Sequence, residues 1–366
     1  MLRTVHHRRF MMEALFLARR GLGRVEPNPM VGCVLVKAGR IVGRGFHHRY
    51  GAAHAEVHAL RDAGRRAKGS TAYVNLEPCC HFGKTPPCTD ALIAAGVRRV
   101  VVAIRDVNPQ VAGNGLRILR AAGLRCDVGL LRDEAEALNA PFIKYFTERR
   151  PYVILKWAQS LDGKIATRSG DSRWISSAAS RQEVHRLRAR MDAIIVGVQT
   201  VIQDDPQLTA RGVPILRVAT RVVLDSQLRT PPTCRLVSGA RRVPTLIVTS
   251  NKSIRRAGAL RKAGCEVIRL PRTQSGLSLS ALLDELHQRR MTNVLVEGGG
   301  RVLGSFVDEE LADEARVFVA PRLIGGETAP GPLRTLGPET MRDLPKVMRR
   351  EDVLLGPDRC YTIKFR

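Results

Sequence analysis

The sequence predicts an α/β protein built from two domains, and three observations carry that expectation. Apolar Val/Ile/Leu runs recur along the whole chain and alternate with helical patterns, as in largely parallel sheets covered on both faces. A length of 366 residues suits two or three domains better than one. Near mid-chain Arg149-Arg150-Pro151 interrupts the alternation, and proline ends helices and starts extended segments. The domains expected are therefore 1–148 and 151–366.

The first half opens with a helix at about 8–21, whose apolar face is marked by Met11, Met12, Leu15, Phe16 and Ala18. Strands follow at Val31–Lys37 and Ile41–Phe46, with Gly39-Arg40 as a tight turn. A helix runs from about His54 to Gly64, then a strand over Thr71–Leu76 and a helix from about Asp90 to Ala95. Strand Arg99–Ile104, a helix near Gly115–Ala122 and strand Cys126–Leu130 come next, and one charged helix, Asp133–Glu148, closes the half. The second half begins with strand Tyr152–Ala158 and the turn Asp162-Gly163, followed by a helix over about Ala178–Arg190. Strands are expected at Ala193–Val198, Arg221–Asp225, Thr245–Thr249, Glu266–Leu270 and Asn293–Glu297, with helices at about 254–263 and 278–290 between them. Arg316–Ala320 and Cys360–Phe365 read as late strands.

Composition narrows the function. At 44% hydrophobic residues the chain buries real cores, so bulk disorder is excluded. No apolar run reaches the ~18–20 residues of a membrane span, and the start lacks the cleavage site of a signal peptide. Eight cysteines are too few for a disulfide scaffold. A cytoplasmic protein is expected. The net charge of +26 divides evenly, +13 in residues 1–150 and +13 in 151–366, and 50 of the 60 cations are Arg. A basic chain can grip nucleic acid through its phosphates. Aromatics are only 4% and no stacking motif is present, so a solvated basic surface that also attracts phosphorylated small substrates is the better reading.

Two clusters carry chemistry. His54-Ala55-Glu56 begins a helix, and Pro78-Cys79-Cys80-His81-Phe82-Gly83-Lys84-Thr85-Pro86-Pro87-Cys88 lies downstream. His-x-Glu followed by Pro-Cys and a further Cys is the arrangement of zinc deaminases. One imidazole and two thiolates leave the fourth position of zinc open for water, whose pKa the metal lowers. Glu56 then moves protons to the ring nitrogen and the departing amine. The second Cys ordinarily follows the first after two intervening residues, yet that position is Phe82, so Cys88 is the expected ligand with Cys79. Cys80, His81 and His58 stand as rivals. Buried cysteines acting as small hydrophobes are the plainer alternative. A polar Pro/Gly loop is a poor place for them. In the second half Val294–Glu297 leads into Gly298-Gly299-Gly300, a strand-to-helix turn whose bare N–H groups suit a diphosphate. By itself such a turn is often only tight packing. Glu297 would suit the hydroxyls of a substrate sugar.

Taken in order, these motifs resemble the bifunctional deaminase/reductase family of riboflavin biosynthesis. His54-Ala-Glu56, Pro78-Cys79 and Thr85-Pro86-Pro87-Cys88 match its first half, as does Pro27-Asn28-Pro29 with Val31-Gly32. Ser160–Lys164, Gly170–Ser176, the stretch from Gly197 to Arg211 and Glu297–Gly300 match its second. Cys80 departs from the family, which usually has Ser there. The resemblance implies a cytidine-deaminase-like α/β/α domain followed by a dihydrofolate-reductase-like α/β domain. It implies zinc-dependent deamination of a phosphoribosylamino-diaminopyrimidinone, then NADPH-dependent reduction of its ribosyl chain to ribityl. It assigns cofactor contacts to Ala158, Trp174, Thr200, Asp204, Ser226 and Gly299, Gly300, Arg301, Val302, Leu303, Gly304 and Ser305. It assigns substrate contacts to Ser172, Arg188, Leu208, Arg211 and Glu297, with the two arginines suited to forked phosphate contacts. Partners are then phosphorylated pyrimidines, with no nucleic acid and no membrane, in a homo-oligomer. The competing class is a nucleic-acid base deaminase with a basic appendage. It has no use for the second-half motifs, nor for NADPH. A structural protein with dead sites would not need Glu56 and the metal ligands.

Overall fold

The structure, a computed structural model, describes residues 2–365 and separates into two compact units, Met1–Arg149 and Arg150–Arg366. Unit 1 runs α1 (Leu2–Arg19), β1 (Gly32–Lys37), β2 (Arg40–Phe46), α2 (Ala55–Ala63), β3 (Thr71–Leu76), α3 (Cys88–Ala94), β4 (Arg99–Ile104), α4 (Asn114–Ala121), β5 (Arg125–Val128), α5 (Arg132–Leu138) and α6 (Ala140–Thr147). Its sheet has the order β2-β1-β3-β4-β5, antiparallel from β2 to β3 and parallel from β3 to β5. Alternate strand residues face opposite layers, as the pleat requires. Val34, Val36, Tyr73 and Val101 pack under α1, α5 and α6, while Cys33, Leu35, Val74 and Val102 pack under α2, α3 and α4.

Two glycines of β2 set how closely α2 approaches the sheet. A Cβ on Gly45 would lie 2.2 Å from the Ala55 carbonyl oxygen, and one on Gly43 2.3 Å from that of Ala59. No side chain fits at either distance. The helix backbone therefore rests directly on the strand, which fixes the height of the α2 N-terminus.

Unit 2 runs β6 (Tyr152–Ser160), α7 (Ala178–Arg188), β7 (Ala193–Gly197), α8 (Val198–Asp204), β8 (Thr220–Leu224), α9 (Arg235–Ser238), β9 (Thr245–Thr249), α10 (Ile254–Lys262), β10 (Glu266–Arg269), α11 (Leu279–Gln288), β11 (Asn293–Gly298), α12 (Gly300–Asp308), β12 (Glu314–Ala320), β13 (Val347–Leu355) and β14 (Asp358–Phe365). The sheet order is β10-β9-β8-β7-β11-β6-β12-β14-β13. Every pairing from β10 to β12 is parallel, and the β13–β14 hairpin joins β12 antiparallel. The parallel strands are buried Val/Ile/Leu runs, as sheets covered on both faces require. Ser177, Ser253 and Ser278 cap α7, α10 and α11 by accepting hydrogen bonds from backbone N–H groups three residues on.

Several sequence expectations need correction. The tight turn of the first hairpin is Ala38-Gly39, both at positive φ, and Arg40 already belongs to β2. Met12 and Phe16 are exposed, because the buried face of α1 follows Met11, Ala14, Leu15 and Ala18. The charged helix expected over Asp133–Glu148 is two helices broken at Asn139, whose buried amide accepts from Met30 N and donates to Met30 O. β13, α8 and α9 were not expected. Among the described residues, no helix is long and apolar enough to cross a membrane.

Candidate active site

In unit 1 the loop after β3 and the start of α3 bring two cysteines to the N-terminus of α2. His54 is the N-cap of α2, and its Nδ1 lies 3.3 Å from Cys79 Sγ and 3.2 Å from Cys88 Sγ. The Cys88 N–H, first of α3, points at Cys79 Sγ at 3.3 Å. One ligand atom from each of His54, Cys79 and Cys88 falls within 4.8 Å of the others. The hydrogen bond from Cys88 pulls the Cys79 thiol down to about 4 despite burial, while Cys88 is pushed well up by that shared bond and by burial. Glu56 is buried in the first turn of α2, and burial raises its carboxyl above the ordinary value, Cys79 adding to this and His54 opposing it. The three donors are a borderline nitrogen and two sulfurs, the set that suits zinc with a position left open.

Two of the three rival ligands point elsewhere. Cys80 directs its thiol to the Gln110 carbonyl, and the His58 ring stacks on His48 at 4.2 Å. Sequence reasoning missed two supports. Glu77 is buried beside the ligand loop and accepts backbone N–H bonds from Asp106, Gly113 and Leu116. Thr85 Oγ1 sits 3.4 Å from His54 Nε2. The signal for Glu77 was a charged residue at the end of an apolar strand.

In unit 2 the expected cofactor residues gather at the carboxyl ends of neighbouring parallel strands, where open α/β sheets bind ligands. Ala158 lies near the end of β6, Thr200 just past β7, Ser226 just past β8 and Gly299 just past β11. A Cβ on Gly298 would lie 3.4 Å from Thr200 Oγ1, and Val302 packs against Gly197. Gly299 has a φ of +80°, which a glycine takes freely, and releases the chain into α12. Gly300 and Arg301 to Ser305 form the first turns of that helix, whose leading N–H groups have no acceptor within it. A Cβ on Gly304 would collide with the Thr335 side chain at 2.5 Å, so that glycine serves packing. Trp174 is 62% exposed with the Arg181 guanidinium 4.6 Å from its ring centre, and Arg173 Nη2 donates to the Asp204 carbonyl. Burial raises the Asp204 carboxyl. Ser226 O accepts from the Thr249 and Ser250 hydroxyls, and Ser172 O from Ile175 N.

The substrate residues hold a further arrangement. Arg188, the last residue of α7, forks onto Glu297 at 2.5 and 2.6 Å, and Lys156 Nζ from β6 reaches the same carboxylate at 3.5 Å. Burial pushes the Glu297 carboxyl up, but the Arg188 and Lys156 charges outweigh it and hold it at about 2. Arg188 Nη1 also meets Thr209 O, in the loop that carries Leu208 and Arg211. Leu208 is buried at a φ of +52°. Arg211 is exposed and donates to Gln207 Oε1 and Thr209 Oγ1. Arg188 and Glu297 were read as separate substrate contacts, and the structure pairs them. Lys156 was missed, though a lysine inside Tyr152–Ala158 was its signal.

Residues 4–104 match the family described as the cytidine and deoxycytidylate deaminase zinc-binding region, and residues 151–354 match the RibD C-terminal domain. Riboflavin biosynthesis protein RibD of Aquifex aeolicus is 44% identical over 349 residues, 95% of this chain and 96% of that protein. The chain belongs to the RibD family. The RibD protein of Escherichia coli (strain K12) is 42% identical over 363 residues, 96% of this chain and 97% of its own length. Among solved structures, form 1 of Acinetobacter baumannii RibD is 37% identical with a TM-score of 0.87 and covers 99% of each chain. A Thermotoga maritima diaminohydroxyphosphoribosylaminopyrimidine deaminase/5-amino-6-(5-phosphoribosylamino)uracil reductase is 35% identical with a TM-score of 0.85 over 100% of both chains. RibD membership accounts for both units: a cytidine-deaminase-like α/β/α fold and a dihydrofolate-reductase-like α/β fold. It makes the chain a zinc- and NADPH-dependent deaminase and reductase of riboflavin biosynthesis.

Proposed function

We propose that residues 1–148 deaminate 2,5-diamino-6-(5-phosphoribosylamino)pyrimidin-4(3H)-one and that residues 151–366 reduce the product to 5-amino-6-(5-phosphoribitylamino)uracil. The observation that carries the first step is the convergence of His54, Cys79 and Cys88 beside buried Glu56. Those three residues would hold zinc, which supplies the Lewis acidity that makes water a nucleophile near neutral pH. Glu56 takes the proton of the attacking water and delivers protons to the ring nitrogen and the leaving ammonia. Its raised carboxyl suits both directions of transfer. The Gly43 and Gly45 contacts hold the start of α2 at the height that brings His54 to the cysteines.

When bound in the second unit, NADPH would supply hydride for the sugar carbon attached to the ring amine, which becomes reducible once the ribose has opened. Thr200, Ser226 and the Gly299–Ser305 turn lie where the cofactor would bind, with Ala158, Trp174 and Asp204 around it. Arg188 and Lys156 keep Glu297 ionised as an acceptor for sugar hydroxyls. Exposed Arg211, beside Arg188 through Thr209, takes the phosphate, with Ser172 and Leu208 completing the pocket. The chain works in the cytoplasm on small phosphorylated pyrimidines, without nucleic acid, as a homo-oligomer.

A turnover assay with the phosphorylated diaminopyrimidinone tests this. Without NADPH, ammonia should appear and the deaminated ribosyl compound accumulate. With NADPH, one equivalent should be oxidised per ribityl product. Oxidation of NADPH without ammonia release, or ammonia release from a tRNA or DNA base instead, would overturn the reading.

A further inference from the structure

Between β12 and β13 the chain runs through residues 321–346 with one short turn, Met341–Asp343, as its regular structure. The first part of this segment is nonetheless fixed to the loop after β6. Asp162 accepts hydrogen bonds from Ile324 N and Gly325 N at 3.1 and 2.7 Å. Lys164 Nζ donates to the Ala329 carbonyl at 3.1 Å, and Ile165 N donates to the Pro330 carbonyl at 2.9 Å. A few residues on, Arg334 N donates to the Gly300 carbonyl at 2.9 Å. Residues 322–335 thus form a strap, tied at one end beside the Ser160–Lys164 motif and at the other to the first turn of α12.

Arg334 lies against the glycine that opens α12. A Cβ on Gly300 would lie 2.7 Å from Arg334 Cγ, 2.9 Å from its Cδ and 3.2 Å from the Pro332 carbonyl oxygen. Thr335 crowds Gly304 in the same way one turn along, so the two glycines make the groove in which the strap lies. Cβ positions on a helix tilt towards its N-terminus. The aliphatic stem of Arg334, lying along the missing Cβ, therefore passes the first turn on the side of the leading N–H groups. The residue is exposed, and its guanidinium makes no hydrogen bond or ion pair with a described residue. The first turn of α12 holds no acidic residue to neutralise it. A full positive charge is thereby added to the partial charge of the helix end. Its planar fork matches a pair of phosphate oxygens.

We propose that Arg334 is a further cofactor-binding residue, carried by the strap to the start of α12, where it grips the diphosphate of NADPH. The inference rests on the reductase reading above, which puts the Gly299–Ser305 turn at the cofactor. The diphosphate is the contact because helix N-termini take that group, and Arg334 shares the turn with those N–H groups.

Calorimetric titration of the full-length protein with NADPH tests this. Arg334→Gln keeps methylene groups over Gly300 but removes the charge, and it should raise the NADPH dissociation constant about tenfold. Arg334→Lys keeps the charge without the fork and should fall between parent and Arg334→Gln. NADH retains the diphosphate and lacks the 2′-phosphate, so Arg334→Gln should weaken it by the same factor. The unfolding temperature followed by tryptophan fluorescence should match the parent's in both variants, which separates a lost grip from a lost fold. An unchanged NADPH affinity in Arg334→Gln overturns the proposal. A loss confined to NADPH also overturns it, by moving the arginine to the 2′-phosphate, as does an Arg334→Lys no tighter than Arg334→Gln. A parent that binds no NADPH overturns the reductase reading itself.

Discussion

Replacing Arg188 by Met should destabilise unit 2 while leaving unit 1 untouched. The Glu297 carboxyl sits at about 2 against an ordinary 4.5 although its side chain is only 3% exposed. A displacement of that size corresponds to about 3 kcal/mol of stabilisation of the charged form. Arg188 supplies two contacts at 2.5 and 2.6 Å and Lys156 one at 3.5 Å, so most of it belongs to Arg188. Loss of one partner from a buried pair leaves an uncompensated charge, and costs of about 3 kcal/mol are typical. With a urea slope of about 2–3 kcal/mol per molar, the midpoint should fall by about 1 M. The chain's two tryptophans, Trp157 and Trp174, both lie in unit 2, so their fluorescence reports that unit alone. The sign with pH is fixed. A carboxyl held below its unfolded value stabilises the fold above pH 4.5 and loses that contribution as pH falls towards 2. The gap between parent and variant should therefore narrow on acidification below pH 4.5. An unchanged midpoint at neutral pH, or a gap that widens in acid, would refute the ion-pair account.

Metal analysis of purified protein should find about one zinc per chain, lost in Cys79→Ser and Cys88→Ser but kept in Cys80→Ser, whose thiol faces Gln110. Glu56→Gln should keep zinc and lower the deamination rate by about 10²- to 10⁴-fold, with reduction of pre-deaminated substrate unaffected. Arg211→Ala should raise KM for reduction about tenfold or more, as loss of a charge-assisted phosphate contact implies. Titration should find its NADPH affinity at the parental value. Gly45→Ala forces a Cβ to within 2.2 Å of the Ala55 carbonyl oxygen. α2 must lift, and overpacking of this kind costs about 1–3 kcal/mol. Thermal unfolding and zinc affinity should fall together, and a fall in one alone would separate the helix position from the metal site.

The metal cluster was legible because its chemistry is written in two short runs, His54–Glu56 and Pro78–Cys88. Cys79 and Cys88 could be chosen over Cys80 from the sequence because adjacent side chains diverge, and the coordinates add that the Cys80 thiol turns to Gln110. The Lys156–Glu297–Arg188 cluster was not legible, because its members are 141 and 109 residues apart and meet only through the strand order. β13 escaped notice for another reason. A strand exposed on both faces has no period-two apolar pattern, and its charged centre hides it. α1 starts six residues before the expected position and ends at Arg19, and its apolar face was drawn too wide at Met12 and Phe16.

The strand order of unit 2 also sets a timetable for synthesis. β6 is the first strand of that unit to leave the ribosome, yet it lies between β11 and β12. Its partner residues begin at Asn293 and Glu314, so neither neighbour exists until about 140 residues after Tyr152 has been made. At 5–20 residues per second, the nascent chain carries an apolar strand with both edges unpaired for roughly 7–30 s. Unit 1 has by then emerged with all five of its described strands and can already be folded. Slowed translation between Tyr152 and Asn293, or too little chaperone to shield Tyr152–Leu155, should therefore send the second unit into aggregates while the first remains native.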